Sequence, residues 1–290
     1  MNQKVKVPQE FIYLFDDFTH GKIDRRTFME KATLAVGSLA TVNVMLAAVA
    51  PNYAAAAISD PGDSRLKTGE ITYDGESGKM KGYLAEPKEA GKRQAVLVIH
   101  ENRGLNDHIR DVARRMALEG FVALAPDFLS PSGGTPGDQD VARDMIGKLE
   151  PGMTVKNMVA STRFLKGLVD GRKMGVTGFC WGGSLTNKAA AYSNYVSATV
   201  AYYGSVLTDE ETAKVKIPVM MHYAALDDRI NKGVPGYEAA LKANSVDYTI
   251  HMYPEVNHAF NNDTSEQRYN KEAADLAWSR TVGFFKKHLA

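Results

Sequence analysis

The 290-residue sequence predicts an α/β fold, in which a mostly parallel central sheet is covered by helices on both faces. Two observations predict this class. Continuous apolar runs at 95–99 and 121–125 are typical of strands buried on both faces. Stretches with apolar residues at helical spacing separate these runs along most of the chain. Strands that alternate with helices form parallel sheets.

The regular pattern begins near residue 70. Residues 71–73 and 80–84 flank a glycine-containing turn and predict an opening hairpin. Further strands are predicted at 95–99, 121–125, 173–178, 197–203, 218–224 and 247–253. Helices are predicted at 109–116, 141–149, 155–168, 183–192, 234–243 and 274–285, and Gly120 ends the first of them because glycine tolerates a left-handed cap. No repeat or linker interrupts this part, so residues 58–290 are predicted to form one domain.

Residues 1–57 differ from the rest and predict an export signal. An arginine pair, Arg25 and Arg26, precedes an alanine-rich apolar stretch at 32–50, and the stretch at 51–57, which ends in four alanines, suits a signal peptidase. The pair makes the segment resemble a twin-arginine signal, which implies export of the folded chain to the periplasm by the twin-arginine machinery. An uncleaved membrane anchor and an ordinary amphipathic helix remain as alternatives.

The overall composition excludes several classes of function. The formal net charge is +1, so no strong field favours nucleic acid. The single cysteine excludes an intramolecular disulfide. No His or Cys partners lie at metal-ligand spacing, and no phosphate loop or dinucleotide fingerprint appears. We therefore predict no metal site, no cofactor and no nucleic-acid partner, and we look for function in a local site.

The single cysteine, Cys180, follows a predicted strand in the stretch Gly178-Phe179-Cys180-Trp181-Gly182. This is the pattern of a nucleophile elbow, with cysteine in the position of serine. Side chains at the two glycines would clash in so sharp a turn, and the N-terminus of the next helix favours the thiolate. The backbone N–H of Trp181 would form half of an oxyanion hole. A tight glycine turn that packs a strand on a helix is the structural alternative.

Two later strand ends carry the other candidate catalytic residues. Asp227 follows the strand predicted at 218–224, and His258 follows the strand at 247–253. The carboxyl ends of parallel strands collect the chemistry of such sheets, and α/β-hydrolases use this order of nucleophile, acid and base. We predict that Cys180 is the nucleophile, that His258 is the base and that Asp227 orients the imidazole. Asp228, one residue further on, is the alternative acid.

These motifs resemble the dienelactone hydrolase family (carboxymethylenebutenolidases) from about Lys67 to the C-terminus. The resemblance also rests on the motifs at 100–106, 125–128, 201–204 and 257–260. It implies an α/β-hydrolase fold and a cofactor-free hydrolase for a small carboxylic ester or lactone. It further implies that Glu101 contacts the resting thiol and that Asn102 supplies the second oxyanion N–H.

The sequence departs from this family where a substrate carboxylate would bind. Residues 128–131 and 260–263 contain no arginine, whereas the well-studied dienelactone hydrolases have one in each stretch. Arg103 and Arg229 are candidate replacements, and Tyr203 is a candidate pocket residue. Non-catalytic ligand binding on the same fold and a redox response of Cys180 remain as alternatives to hydrolysis.

Overall fold

The computed structural model describes residues 5–52, 58–89, 91 and 93–290. Within these residues eight strands form one sheet: β1 (Leu66–Asp74), β2 (Lys79–Pro87), β3 (Ala95–Ile99), β4 (Val122–Asp127), β5 (Met174–Phe179), β6 (Ala198–Tyr202), β7 (Val219–Ala224) and β8 (Tyr248–Tyr253). The helices of the described chain are α1 (Gln9–Thr19), α2 (Arg25–Val36), α3 (Leu39–Val49), α4 (Asp107–Leu118), α5 (Gln139–Gly147), α6 (Pro151–Leu168), α7 (Trp181–Tyr192), α8 (Asp209–Thr212), α9 (Asp228–Asn231), α10 (Val234–Ala243) and α11 (Lys271–Leu289).

The strand order across the sheet is β1-β2-β4-β3-β5-β6-β7-β8. The strands β1, β2 and β4 pair antiparallel, and every later pair in this order is parallel. The predicted hairpin and the mostly parallel sheet are therefore confirmed. This arrangement, with helices on both faces, is the α/β-hydrolase fold that the sequence predicted.

Alternate residues of the central strand β3 explain why its sequence is continuously apolar. Val96 and Val98 belong to a core cluster that they share with α4 and α11. Ala95, Leu97 and Ile99 belong to a second cluster, with α6 and α7 on the opposite face of the sheet. Both faces of the strand are thus buried, which removes the alternation typical of a half-exposed strand.

Several helices begin earlier than the sequence predicted, because their first turns are polar. The helix α4 begins after Asn106, whose side-chain oxygen accepts a hydrogen bond from the N–H of Ile109. Asp138 and Glu150 cap α5 and α6 in the same way. Such caps stabilise a helix without adding to its apolar pattern, so the apolar pattern alone marks the helix start too late.

The N-terminal segment, residues 5–52, forms a helical layer with its own apolar core. Phe11, Phe15, Phe28 and Val42 are buried together between α1, α2 and α3. The apolar stretch at 32–50 is not one helix, because Gly37 has a positive φ of 83° and ends α2. Residues 53–57 of the stretch that was predicted to precede the cleavage point lie outside the described residues.

The ability to span a membrane depends on the length and polarity of a helix. None of the described helices is long and apolar enough to do so alone. The pair α2 and α3 meets the requirement by length and composition, with a bend of 107° between them.

The N-terminal segment packs against the rest of the chain where the parallel strands end. Four polar contacts join it to two loops, the one after β3 and the one between β8 and α11. They are the 3.5 Å ion pair of Asp16 with Arg268, the 2.9 Å bond from Asn102 Nδ2 to the Thr19 carbonyl, the 2.8 Å bond from the Asn52 N–H to the Thr264 carbonyl, and the 3.3 Å bond from Asn257 Nδ2 to Gln9. The segment therefore covers the edge of the sheet at which the sequence predicts the active site.

The turn between β5 and α7 brings backbone close to backbone. A Cβ atom added at Gly182 would lie within 3.0 Å of the His100 carbonyl oxygen, and one at Gly178 would lie equally close to the Gly182 carbonyl. These contacts are with main-chain atoms, which cannot rotate away. The glycines of the predicted elbow are therefore required by packing.

Replacing Gly182 with alanine should lower the free energy of unfolding by about 2 kcal/mol or more, because the end of β3 must move away from α7. Gly236→Ala is the matched control, since a Cβ in that part of α10 meets nothing within 4 Å and alanine favours a helix. Urea unfolding followed by circular dichroism measures both. Equal stabilities of the two variants would contradict this account of the turn.

Candidate active site

Cys180 lies at the tip of the turn between β5 and α7. Its φ of 56° and ψ of −115° are unusual for a residue with a side chain, and such strain is typical of a nucleophile held out of a strand–helix turn. Its backbone N–H donates to the carbonyl of Tyr202, which ties the turn to β6. The side chain is buried, with 6% of its surface exposed.

The two other predicted catalytic residues meet beside this turn. Nδ1 of His258, which follows β8, lies 2.5 Å from a carboxylate oxygen of Asp227, which follows β7. Both side chains are buried. Asp228, the alternative acid, is exposed at the start of α9. The geometry therefore favours Asp227 as the partner of His258, as the sequence predicted.

A second histidine, which the sequence analysis did not consider, contacts the thiol. Nε2 of His20 lies 3.2 Å from Sγ of Cys180, and its ring packs edge-on against His258 at 4.8 Å between centroids. His20 belongs to the N-terminal segment, at the end of α1. His20 lies within residues 1–57, which the sequence analysis interpreted as an export signal. No local sequence pattern around His20 indicates a site.

The electrostatics of the group favour a thiolate–imidazolium pair. Burial opposes ionisation of Cys180, but the positive charges of His20 and His258 outweigh it and lower the thiol pKa to about 6. Burial likewise opposes the charged form of His258, but the carboxylate of Asp227 and the charge of Cys180 outweigh it and raise the pKa of His258 to about 10. The proton thus resides on the imidazole at neutral pH, which leaves the sulfur as a thiolate.

The residues of the predicted oxyanion hole line the cavity beside Cys180. Trp181 is the first residue of α7, so its N–H is one of the amides that have no acceptor inside the helix. Asn102 and Trp181 line the same cavity as Cys180 and His258. The role of their two N–H groups as an oxyanion hole stays a prediction.

The family resemblance implies that Glu101 contacts the resting thiol. Its carboxylate is buried, and Oε2 accepts a 2.6 Å hydrogen bond from Nδ2 of Asn262. The described partner of the thiol is His20. The other carboxylate oxygen, Oε1, is buried without a hydrogen-bond partner among the described residues, and Glu101 lines a small cavity together with Cys180. The restraint of the resting thiol by Glu101 therefore stays a prediction.

The candidate substrate-binding residues fall into two groups. Arg103 is committed elsewhere, since its Nη1 donates to the Gln139 carbonyl and pairs with Asp140 at 2.9 Å. Arg229 and Tyr203 line the cavity beside Cys180, which has a volume of about 550 Å³. Two cationic residues of the loop after β4 and its helix, Arg143 and Lys148, also line this cavity. The sequence analysis missed both, because they lie far along the chain from every motif.

The sequence matches models of known protein families. The model of the dienelactone hydrolase family matches residues 80–289, which include the strand ends that carry Cys180, Asp227 and His258. The chain belongs to the dienelactone hydrolase family. A second model, described as YqhI-like, matches residues 2–37 of the N-terminal segment.

Curated relatives match this dienelactone hydrolase family member over most of its length. It is 30% identical over 279 residues to a "Putative carboxymethylenebutenolidase" of Methylorubrum extorquens, covering 91% of this chain and 94% of the relative. It is 34% identical over 229 residues to "Protein usf" of Aquifex pyrophilus, covering 76% of this chain and 98% of the relative. The Methylorubrum alignment covers more than residues 58–290, so it extends into the N-terminal segment.

Solved structures show the same fold. A crystal structure described as a "Putative Dienelactone Hydrolase" from Klebsiella pneumoniae superposes with a TM-score of 0.71 at 28% identity, over 77% of this chain and 99% of that one. The dienelactone hydrolase of Anabaena variabilis superposes with a TM-score of 0.63 at 20% identity, over 78% of this chain and all of that one. At that identity the second likeness concerns the fold alone.

The lowered pKa of Cys180 predicts how its alkylation depends on pH. The rate with iodoacetamide should be half-maximal near pH 6 and fall below it as the thiolate is protonated, whereas an ordinary thiol has a pKa near about 8.5. The single cysteine makes mass spectrometry of the labelled chain unambiguous. His258→Gln should move the midpoint to higher pH, because a cation beside the sulfur is lost. A wild-type midpoint near that of a free thiol would refute the ion pair.

Proposed function

We propose that this member of the family hydrolyses a small carboxylic ester or lactone, with Cys180 as nucleophile and a thioester as intermediate. The observation that supports this most strongly is the 2.5 Å contact of His258 with Asp227 beside the buried Cys180. Each of the three follows a different strand, in the order that α/β-hydrolases use.

The acylation half of the proposed reaction forms a C–S bond. The Cys180 thiolate attacks the ester carbonyl, whose electron pair moves to oxygen, and the N–H groups of Trp181 and Asn102 stabilise the oxyanion. The intermediate collapses and expels the alkoxide, which takes a proton from the His258 imidazolium. Asp227 holds the ring in the tautomer that presents Nε2 to the reacting atoms.

The deacylation half uses the same groups on water. His258, now neutral, removes a proton from a water molecule as its oxygen attacks the thioester carbon. The second oxyanion uses the same two N–H groups, and its collapse expels the Cys180 thiolate. For a lactone, the released alcohol and acid are parts of one molecule.

The lining of the cavity supports a substrate with polar or anionic groups. Arg229 lies beside the reacting centre, with Nη2 at 3.3 Å from Nδ1 of His258. Together with Lys148 it gives the cavity a cationic side, although the family's usual arginine positions lack arginine. Arg143 is paired with Asp144, which lines the same cavity, and does not add to this charge. We propose that Arg229 and Tyr203 contact the substrate. Arg103 is excluded from this role by its bonds to residues 139 and 140.

The proposed mechanism predicts a sharp difference between two adjacent aspartates. Asp227→Asn should lower kcat by about 10⁴-fold, because the imidazole loses its orienting charge. Asp228→Asn is the matched control and should keep near-normal activity, since that side chain is exposed. A panel of lactones, aryl esters and thioesters assayed with the full chain supplies the rates.

The nucleophile itself is tested with the same panel. Cys180→Ala should abolish turnover, and mass spectrometry of the quenched wild type should find an acyl group on Cys180. Full activity of Cys180→Ala would rule out Cys180 as the nucleophile. A panel that is inert throughout but binds to the chain would favour the non-catalytic alternative.

We also propose that the arginine pair directs export of the folded chain to the periplasm. Both side chains are accessible on the docked segment, since Arg25 and Arg26 are 71% and 88% exposed. The three helices of the segment fold against the domain, which suits a pathway that carries folded proteins.

Replacing both arginines with lysine should retain the chain in the cytoplasm of a bacterial host, because the twin-arginine machinery reads the guanidinium pair. Lys22→Gln removes one positive charge outside the pair and serves as the control. Immunoblots of periplasmic and cytoplasmic fractions give the distribution, and mass spectrometry of the exported chain identifies its first residue. Equal periplasmic amounts of all three proteins would reject the export proposal.

A further inference from the structure

Three metal-ligating side chains converge where the N-terminal segment meets the active site. One ligand atom each from His20, Cys180 and His258 lies within 4.8 Å of the other two. The proposed hydrolysis uses the sulfur and only one of the two imidazoles. A second imidazole directed at a catalytic sulfur therefore requires an explanation of its own.

Both rings are oriented so that the same nitrogen faces the sulfur. Nδ1 of His20 lies 2.7 Å from the carbonyl oxygen of Asp16, and Nδ1 of His258 lies 2.5 Å from the Asp227 carboxylate. An N–H at Nδ1 donates to each oxygen, so in the neutral rings the lone pairs are on Nε2. Partners of this kind, a carbonyl and a carboxylate, typically orient the histidine ligands of a metal.

One of these nitrogens has no partner at all among the described residues. Nε2 of His258 is buried without a hydrogen bond, on a side chain that is 2% exposed. A buried nitrogen of this kind is costly unless a proton or a cation satisfies it.

We propose that His20, Cys180 and His258 form a binding site for one Zn²⁺ ion, which the docked N-terminal segment completes. Zinc prefers thiolate and imidazole ligands in a tetrahedron, at about 2.3 Å from sulfur and about 2.0 Å from nitrogen. Ligand atoms are then about 3.3–3.7 Å apart, and the 3.2 Å from His20 Nε2 to Sγ is close to that spacing. A water molecule in the adjoining cavity takes the fourth position.

The charges around the site balance a divalent cation. One carboxylate oxygen of Asp16 and one of Asp227 lie within 4.8 Å of a ring nitrogen of His258 and of each other. Two carboxylates therefore lie beside the proposed zinc ligands. Arg229 and Arg268 face the same carboxylates and offset part of their charge. The charges of the thiolate, the two carboxylates, the two arginines and the Zn²⁺ ion nearly cancel when the ion is bound. The nitrogen and sulfur ligands disfavour Mg²⁺ and Ca²⁺, which prefer oxygen.

Zinc would act on the proposed hydrolase as a reversible inhibitor. The ion takes the sulfur lone pair and displaces the proton shared by the thiol and the imidazole, which passes to solvent, and no electron is transferred. The bound thiolate cannot attack a carbonyl while it is coordinated. This consequence rests on the proposed function, whereas zinc binding itself does not.

The test is a direct binding measurement on the full chain. Zn²⁺ is titrated against a chromophoric chelator, and Co²⁺ is used as a spectroscopic substitute whose sulfur-to-metal charge-transfer absorption reports thiolate coordination. We expect one ion per chain for the wild type. His20→Gln keeps a polar group near the sulfur but removes a ligand, so it should weaken zinc binding by about 10–100-fold or more. His288→Gln, a histidine near the C-terminus, is the matched control and should bind as the wild type does.

Each outcome bears on one proposal only. Unchanged zinc affinity in His20→Gln, or no charge-transfer absorption with Co²⁺, would overturn the metal site even if the chain hydrolyses esters. Tight zinc binding that depends on His20 would support the site even if the ester panel is inert. Where hydrolysis is found, its inhibition by micromolar Zn²⁺ should be reversed by a chelator and should be weaker in His20→Gln.

Discussion

The site depends on one constraint, the contact of α7 with the ends of β3 and β6 through glycine backbone. Gly182 lies against the His100 carbonyl, and Gly183 lies against the Tyr202 carbonyl. This contact sets the position of the turn that carries Cys180. It also places the N-terminus of α7, with its free N–H groups, beneath the sulfur. The orientation of the nucleophile and the oxyanion donors therefore has a common origin in packing.

Most of the fold could be predicted because its signals are local. A strand buried on both faces, such as β3, needs apolar residues at every position, and this pattern is visible without knowledge of its neighbours. The site residues could be predicted from the strand ends, because the carboxyl ends of parallel strands lie at one edge of the sheet. Cys180, Asp227 and His258 each follow such a strand. The distinction between Asp227 and Asp228 needed coordinates, because adjacent residues share every sequence signal and differ only in direction.

The parts that sequence reasoning missed depend on contacts between distant segments. His20 precedes Cys180 by 160 residues, and its contact arises only because a helical layer docks on the strand ends. The hydrogen bond of Glu101 with Asn262 likewise joins distant parts of the chain. Arg103 was a reasonable candidate from its motif, but α5 offers it Asp140. The way a helical layer packs on a domain, and the acidic residue with which an arginine pairs, leave no periodic pattern in a sequence. Neither could therefore be predicted from the sequence.

The contact of His20 with the sulfur also bears on how the family diverges. A substitution at position 20 alters the environment of the Cys180 sulfur, 160 residues further along the chain, and relatives without the segment have no such contact. Positions 16, 20 and 268 should therefore change together in relatives that have the helical layer and independently in those that do not. The two groups of relatives would then differ in the covariation of these positions, while the cysteine at position 180 is the same in both.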